Sequence, residues 1–471
     1  MEKNIAEKKL IKNTAIFSIG NIGSKLVTLV TIPLLTFLIS LNEYGISDII
    51  MTYIAFAFPV VSLNIMDAVF RYTLSDDDNH NNVLKTAFIF SIIILSCIVP
   101  FIYLAYILKY DMIIIFSAYG ILFFQIFRDI CRQYIRAIQK LKIYVISDIL
   151  HSIIYFIFLI IYLYFLKLGV YGVLLSYLST YLLTFIYLFF FGNIDKALQN
   201  GIYNSKLIKQ MLKYCLPLIP NALMWLIITS ISKLFIQSFF NYEISGLYSF
   251  ATKIPLILSQ ITAIFISAWQ ISAVENVGND DNIFSKKTFN IFYTLGFLIV
   301  AFEMVFNKIL IFNFVSENYH SSYKYIPIIF LATSFIGLSS FFGSVYVATK
   351  KTIGALISTV IAAIVNIVII SITIQNYGLF GVSYAMLISC FIVLIYRIID
   401  TKIRFAYDIL NVKFYLSSII MILGIISYNV YDNNIWINLG IVFIIMIINY
   451  KTIIYLFSII KYYINLYIFK K

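Results

Sequence analysis

Fourteen stretches of about 20 mostly apolar residues follow one another along this chain, with only short connections between them. Each is long enough to cross a bilayer core as a helix. Backbone polar groups inside lipid must be satisfied within the element itself, so such runs have few alternatives to helix. The spans run over 13–40, 45–70, 85–108, 112–135, 143–167, 170–192, 214–238, 245–270, 287–306, 326–348, 353–375, 379–399, 413–430 and 434–456. The chain is 62% hydrophobic and 12% charged over 471 residues. That is more apolar surface than a soluble fold of this length can hide. The expected class is an all-α integral membrane protein. No connection is long enough to form a soluble domain, and 307–325 reads either as a loop or as a partly embedded segment.

The net charge of +13 is read as a topology signal and not as a nucleic-acid surface, because the bases are unevenly distributed. With the N-terminus in the cytosol, Lys109, Lys167, Lys308 and Lys324 fall outside, and Lys25, Lys233 and Lys253 fall inside spans. The remaining lysines and arginines, Arg397 and Arg404 among them, fall on the cytosolic side. Such a bias places both termini in the cytosol. The opening residues 1–12 mix Glu and Lys without a small-residue cleavage site, and read as a cytosolic tail. The four cysteines (Cys97, Cys131, Cys215, Cys390) form no Cys-x-x-Cys, and three scattered histidines make no ligand set. No metal and no cofactor is expected.

A repeat organises the spans. Gly169-Val170-Tyr171-Gly172-Val173 returns as Gly378-Leu379-Phe380-Gly381-Val382. Leu10-Ile11-Lys12 is matched by Leu207-Ile208-Lys209. Asn42-Glu43-Tyr44-Gly45-Ile46-Ser47 is matched by the stretch Asn241 to Ser249, and the basic turn Gln139-Lys140 by Lys350-Lys351. Spans one to six therefore correspond to seven to twelve. Six is even, so both halves enter from the same side, and a substrate site is expected where parallel repeats meet. The expected division is 1–205 for an N-terminal lobe, 206–402 for a C-terminal lobe, and 403–471 for two additional helices and a basic tail.

Two six-helix lobes plus an extra pair resemble the multidrug/oligosaccharidyl-lipid/polysaccharide flippase superfamily, with its MATE-like fold. Within it the chain is most similar to Wzx-type bacterial flippases of O-antigen or capsule repeat units. The residues that carry the likeness are Lys8-Lys9-Leu10-Ile11-Lys12-Asn13-Thr14, Asn42-Glu43-Tyr44-Gly45-Ile46, Gly246-Leu247-Tyr248-Ser249 and the paired Gly-x-x-Gly turns. The resemblance runs over about residues 8–400 and marks turns more than cargo. It implies alternating access around a cavity lined by spans one, two, seven and eight. It implies an undecaprenyl-pyrophosphate-linked glycan as substrate, the bacterial cytoplasmic membrane as location, and membrane lipids and polysaccharide polymerase machinery as partners. No nucleic-acid partner is implied.

Charges inside spans are costly, about 2.5–3.5 kcal/mol for a central Lys or Arg on insertion scales, so they tend to face a wet interior. Lys25, Lys233 and Lys253 lie on spans one, seven and eight. Thr14, Ser18, Asn21, Lys25 and Thr28 share one helical face. So do Asn221, Trp225, Thr229, Lys233 and Gln237, and so do Ser249, Lys253, Gln260, Ser267 and Gln270. Three polar seams on apolar helices read as walls of an aqueous cavity, while each lysine alone also fits snorkelling to the interface. Asp67 and Arg71, spaced i, i+4 near the inner end of span two, read as an ion pair or an interfacial clamp. Arg128, Arg132, Arg136 and Lys140 repeat every four residues at the inner end of span four. They serve either as a headgroup anchor or as an approach for pyrophosphate. Glu303 on span nine lies outside the expected lining and has no assigned role. Pro33, Pro59 and Pro255 stand within spans one, two and eight, where each can kink its helix.

Three other readings compete. A drug exporter of organic cations calls for acids in the cavity, and here lysines outnumber them. A membrane glycan polymerase or ligase calls for a sizeable external loop carrying catalytic residues. A transport-inactive scaffold leaves the polar seams unexplained. No catalytic residues are expected, and the chain is read as a transporter and not an enzyme.

Overall fold

The computed structural model describes residues 27, 30–75, 80–109, 111–276, 283–349, 351 and 353–458. Among them the chain is helical almost throughout and contains no strand. Among the described residues eleven helical stretches are long and apolar enough to cross a membrane, Ser205–Phe239 and Tyr242–Ser267 each joining two helices, and the bent pair Ile435–Ile448 and Tyr450–Ser458 counts as a twelfth if taken as one span. One of the eleven, Ile353–Phe405, covers two expected spans, because its helical geometry breaks at Gly378 (φ 52°, ψ −130°). The expected first span lies mostly outside the described residues.

In chain order the helices are α1 (Leu41–Val61), α2 (Ile65–Ser75), α3 (His80–Ile107), α4 (Met112–Ala137) and α5 (Leu141–Leu159), which runs into a π-helical turn, Ile160–Phe165. Then come α6 (Gly169–Phe191), α7 (Ile194–Asn200), α8 (Ser205–Cys215), α9 (Leu218–Phe239), α10 (Tyr242–Lys253) and α11 (Leu256–Asn276). α12 (Ile283–Phe314) is followed by a 3-10 segment, Glu317–Lys324, and then by α13 (Ile326–Ala348), α14 (Ile353–Phe405), α15 (Val412–Val430) and α16 (Ile435–Ile448).

Three stretches differ from the sequence reading, and a fourth carries the interruption that its proline allows. The span expected over 45–70 is two helices. α1 carries Pro59 near its end and stops at Ser62, and Leu63 and Asn64 turn the chain with positive φ. α2 is then amphipathic, burying Ile65, Met66, Ala68 and Val69 while exposing Arg71. The span expected over 245–270 is one membrane-length stretch, Tyr242–Ser267, interrupted only locally at Pro255. Pro255 has no N–H to donate, and α10 ends at Lys253 just before it. The polar interruption after residue 192 folds into α7 and α8. Asn204 caps α8 by accepting from the Lys206 and Leu207 amides, and Ile208, Met211 and Cys215 line its buried face. Finally, 307–325 is neither all loop nor all embedded: α12 continues to Phe314 and the 3-10 segment follows.

The chain forms two compact units, residues 1–226 with 242–246, and residues 227–241 with 247–471. In the first, Ile65, Val69, Leu84, Ile126, Ile130, Leu188 and Met211 build one continuous core from α2, α3, α4, α6 and α8. In the second, aromatic rings fill the centre. Phe289 lies 5.2 Å from Phe341, 5.3 Å from Phe342 and 5.3 Å from Phe414, centroid to centroid. α13 shows no apolar stripe because it is buried on nearly every side.

The repeated Gly-x-x-Gly turns share a positive φ at their first glycine. Gly169 and Gly378 adopt φ of 54° and 52°, a conformation open to glycine at little cost. Three residues on, a Cβ on Gly172 would press on Leu163 Cδ2 at 2.8 Å, and one on Gly381 would press on Thr373 Oγ1 at 2.7 Å. The first glycine turns the chain and the second lets the next helix lie against the previous one.

Candidate functional site

The second unit holds four of the residues expected to line a cavity. Lys233 is on α9, 8% exposed, between the buried Ser232 and Ile236. Gln237 follows one turn later, half-buried. Lys253 is the last residue of α10, half-buried, where the negative end of the helix dipole favours a cation. Gln260 lies on α11 beyond the Pro255 break, also half-buried. Two more, Lys25 and Asn21, lie outside the described residues.

In the first unit the basic ladder of α4 is occupied by protein partners. Arg128 donates to Asp129 at 2.8 Å and to Asp148 at 3.2 Å. Arg132 makes a two-pronged contact with Asp148, Nε at 2.8 Å and Nη2 at 2.7 Å, and its guanidinium stands 4.2 Å from the centroid of the Tyr144 ring. Arg136 lies over Phe70 at 4.5 Å, and Lys140 donates to the Gly192 carbonyl at 2.9 Å. Side chains of Arg128 and Asp148 are only 11% and 14% exposed. An arriving pyrophosphate would have to displace Asp148 to reach these arginines. Asp67 and Arg71 share α2, and among the described residues no ion pair joins them.

Sequence reasoning passed over Asp129 and Asp148, although both acids lie inside expected spans. An Arg at i with Asp at i+1 and Arg at i+4, followed by an acid on the next helix, was the legible signal. Around the same cluster stand His151 against Tyr181, centroids 5.1 Å apart, and Tyr155 against Tyr177, 4.5 Å apart. The first unit therefore contains a polar tract across α4, α5 and α6.

The second unit has a corresponding buried network. Arg397, read as a cytosolic topology charge, lies inside α14 and is 5% exposed. Its Nε donates to Ser358 Oγ at 3.0 Å and its Nη1 to the Ser339 carbonyl at 3.0 Å. One turn on, Asp400 accepts from the Tyr346 hydroxyl at 2.8 Å and pairs with Arg404 at 2.7 Å. Just past the end of α15, Asp432 pairs with Lys308 of α12 at 3.2 Å and accepts from the Tyr323 hydroxyl. The Tyr323 hydroxyl, and then the Lys308 ammonium, hold the Asp432 carboxyl below the usual carboxylate range.

Among the described residues no group of three or more His, Cys, Asp and Glu is placed to hold a metal ion. The second unit offers Lys233, Gln237, Lys253 and Gln260 on apolar helices, while in the first unit Arg128 and Arg132 are held by acids. Such a set can bind and release an anion and can solvate hydroxyl-rich groups.

The sequence matches a family described as polysaccharide biosynthesis protein over residues 10–271. No curated protein matches it. Solved structures share its fold. The lipid II flippase MurJ, in an inward closed conformation, superposes with a TM-score of 0.65 at 18% identity, over 93% of this chain and 100% of that one. An inward-facing multidrug resistance MATE family transporter of the MOP superfamily gives 0.63 at 14% identity, over 83% of this chain and 94% of that one. A MATE protein in complex with MaL6 gives 0.60 at 17% identity, over 84% and 96%.

Proposed function

We propose, from the premise that this chain belongs to the polysaccharide biosynthesis protein family, that it flips a polyprenyl-pyrophosphate-linked oligosaccharide across the bacterial cytoplasmic membrane. The cargo is the repeat unit of a surface polysaccharide such as O-antigen or capsule, carried on undecaprenyl pyrophosphate and moved from the inner to the outer leaflet by alternating access. Both termini are cytosolic in this reading, the two six-helix repeats are the moving lobes, and polymerase machinery receives the product. The chain breaks and makes no covalent bond in the cargo.

The observation that carries the reading is Lys233, a cation 8% exposed on an apolar helix that is long enough to cross a membrane. Residues of this kind mark substrate and ion pathways in membrane proteins. A lysine there suits an anionic cargo, and its flexible stem can follow a phosphate through a conformational change. A flippase for lipid II has the same fold, which supports a lipid-linked cargo for this one. The prenyl tail stays in the bilayer throughout, so only the charged and hydroxylated part needs a polar route.

The test is flipping in proteoliposomes of a fluorescent polyprenyl-pyrophosphate oligosaccharide, followed by quenching from outside. Protein-dependent access of the inner-leaflet pool to the quencher is expected. A rate equal to that of protein-free liposomes would sink the flippase reading. Transport of organic cations by the same vesicles would turn it toward drug export.

A further inference from the structure

Glu303 lies on α12, at the edge of the face that packs into the second unit. Val300, Ala301, Met304 and Asn307 around it are buried. Both Glu303 carboxyl oxygens are buried, and among the described residues neither has a hydrogen-bond partner. Other enclosed acids of the bundle are held differently: Asp148 by two arginines, Asp400 by Tyr346 and Arg404.

The groups around it are already committed. Asn307, one turn on, donates from Nδ2 to the Tyr323 carbonyl at 2.7 Å and to the Tyr428 hydroxyl at 3.0 Å. Tyr428, on α15, is the titratable group within electrostatic range of Glu303. Lys308 is held by Asp432. α16 contributes no titratable side chain, α13 has Tyr346 near its far end, and α11 has Glu275 near its end. The 3-10 segment contributes Tyr323, whose hydroxyl is turned to Asp432. On α16, Asn438 donates to the Met304 carbonyl at 3.1 Å and to Asn433 Oδ1 at 2.6 Å, while its own Oδ1 is buried without a partner. Two polar groups thus stand unsatisfied around Met304, one of them able to gain or lose a proton.

An ionised carboxylate without a partner is unstable in such surroundings, whereas the neutral acid can remain. We propose that Glu303 is an embedded proton site. It carries one proton while α12, α15 and α16 are packed together, and the carboxylate and proton separate when those helices part enough to admit water. A water-borne proton rebinds before the helices close, so one proton is taken up and released in each transport cycle. The coupling to transport rests on the flippase reading, and the buried proton does not.

Two measurements on the full-length protein separate these parts. Infrared spectra of the reconstituted protein at neutral pH should contain a protonated-carboxyl C=O band that shifts in deuterium oxide and is lost in Glu303→Gln. In proteoliposomes with the fluorescent lipid-linked oligosaccharide, an imposed pH difference should change the flipping rate of the wild type, with loss of that response in Glu303→Gln. A Glu303→Asp variant should keep a shifted band and part of the response, and serves where the glutamine variant does not fold. An unaltered C=O band in Glu303→Gln overturns the proton site, and an unaltered gradient response overturns the coupling. If neither protein flips the glycan, the flippase reading falls while the infrared arm still decides on the proton.

Discussion

Gly45 and Gly246 pack against each other at the first turns of α1 and α10, and the contact is reciprocal. A Cβ on Gly45 would collide with the carbonyl of Tyr242, and a Cβ on Gly246 with the carbonyl of Leu41. Tyr242 stands four residues before Gly246, and Leu41 four residues before Gly45. Each hypothetical Cβ also meets the other glycine's amide nitrogen at 3.0 Å. One repeat motif therefore meets its own counterpart with the self-complementary pattern of a two-fold contact. Close backbone crossings of this kind depend on residues without side chains.

Gly45→Ala and Gly246→Ala should each destabilise the protein by about 1–3 kcal/mol, the usual cost of overpacking. The double variant should cost less than the sum, because the first substitution already separates the helices. Thermal unfolding in detergent measures both, and wild-type melting of either single variant would contradict the crossing.

Asp148 holds Arg128 and Arg132 at once, so Asp148→Ala leaves Arg132 without its acid and Arg128 with Asp129 alone. Breaking a buried pair from one side costs about 3–5 kcal/mol, whereas replacing all members by apolar residues is often neutral. The single variant should show a large loss of folded protein by size-exclusion chromatography. The combination Arg128→Met, Asp129→Ala, Arg132→Met and Asp148→Leu, which replaces every member, should recover much of it. If instead the single variant folds normally and only flipping falls, the cluster belongs to the transport route.

Asp432 lies outside the spanning helices, so its ionisation can be read from pH. Its carboxyl is held below the usual carboxylate range, first by Tyr323 and then by Lys308. The stabilisation is therefore present above the ordinary carboxylate pKa and is lost as pH falls through the lowered value. Both partners in the ion pair are well exposed, which limits the effect to less than about 1 kcal/mol. Asp432→Asn should reduce the acid sensitivity of thermal stability slightly, and identical pH profiles for the two proteins would rule the contact out.

The all-helical class was legible because it rests on long-range composition, and the two Gly-x-x-Gly turns because they rest on glycines with a single backbone role. Gly169 and Gly378 match by spacing alone, since a left-handed turn admits few other residues. The breaks at Leu63–Asn64 and after Lys253 were harder. A proline in a membrane helix is compatible with a kink, and the sequence around Pro59 and Pro255 does not separate a kink from a stop. Of the candidate residues, the α4 arginines looked available because their partner, Asp148, comes from a neighbouring helix, and helical periodicity carries no information about neighbours. Arg397 is a related case. Near a span end, a buried arginine and a topology charge look alike until Ser358 and Ser339 are seen around it.

The cationic residues Lys25, Lys233 and Lys253 supply the last prediction. If they attract the pyrophosphate, removing charge should slow flipping, and keeping charge should preserve it. Lys233→Gln and Lys253→Gln should each lower the flipping rate about tenfold, which corresponds to ~1.4 kcal/mol of lost stabilisation. Lys→Arg variants at the same places should retain more activity, though not all, because the planar guanidinium does not follow a moving phosphate as an ammonium does. Melting of each glutamine variant in detergent separates a transport defect from a folding defect. The measurement is complementation of a flippase-deficient strain, with surface glycan quantified against protein level in the membrane fraction. Parental amounts of glycan from a chain with Gln at all three positions would reject the cationic route while leaving the fold and family untouched.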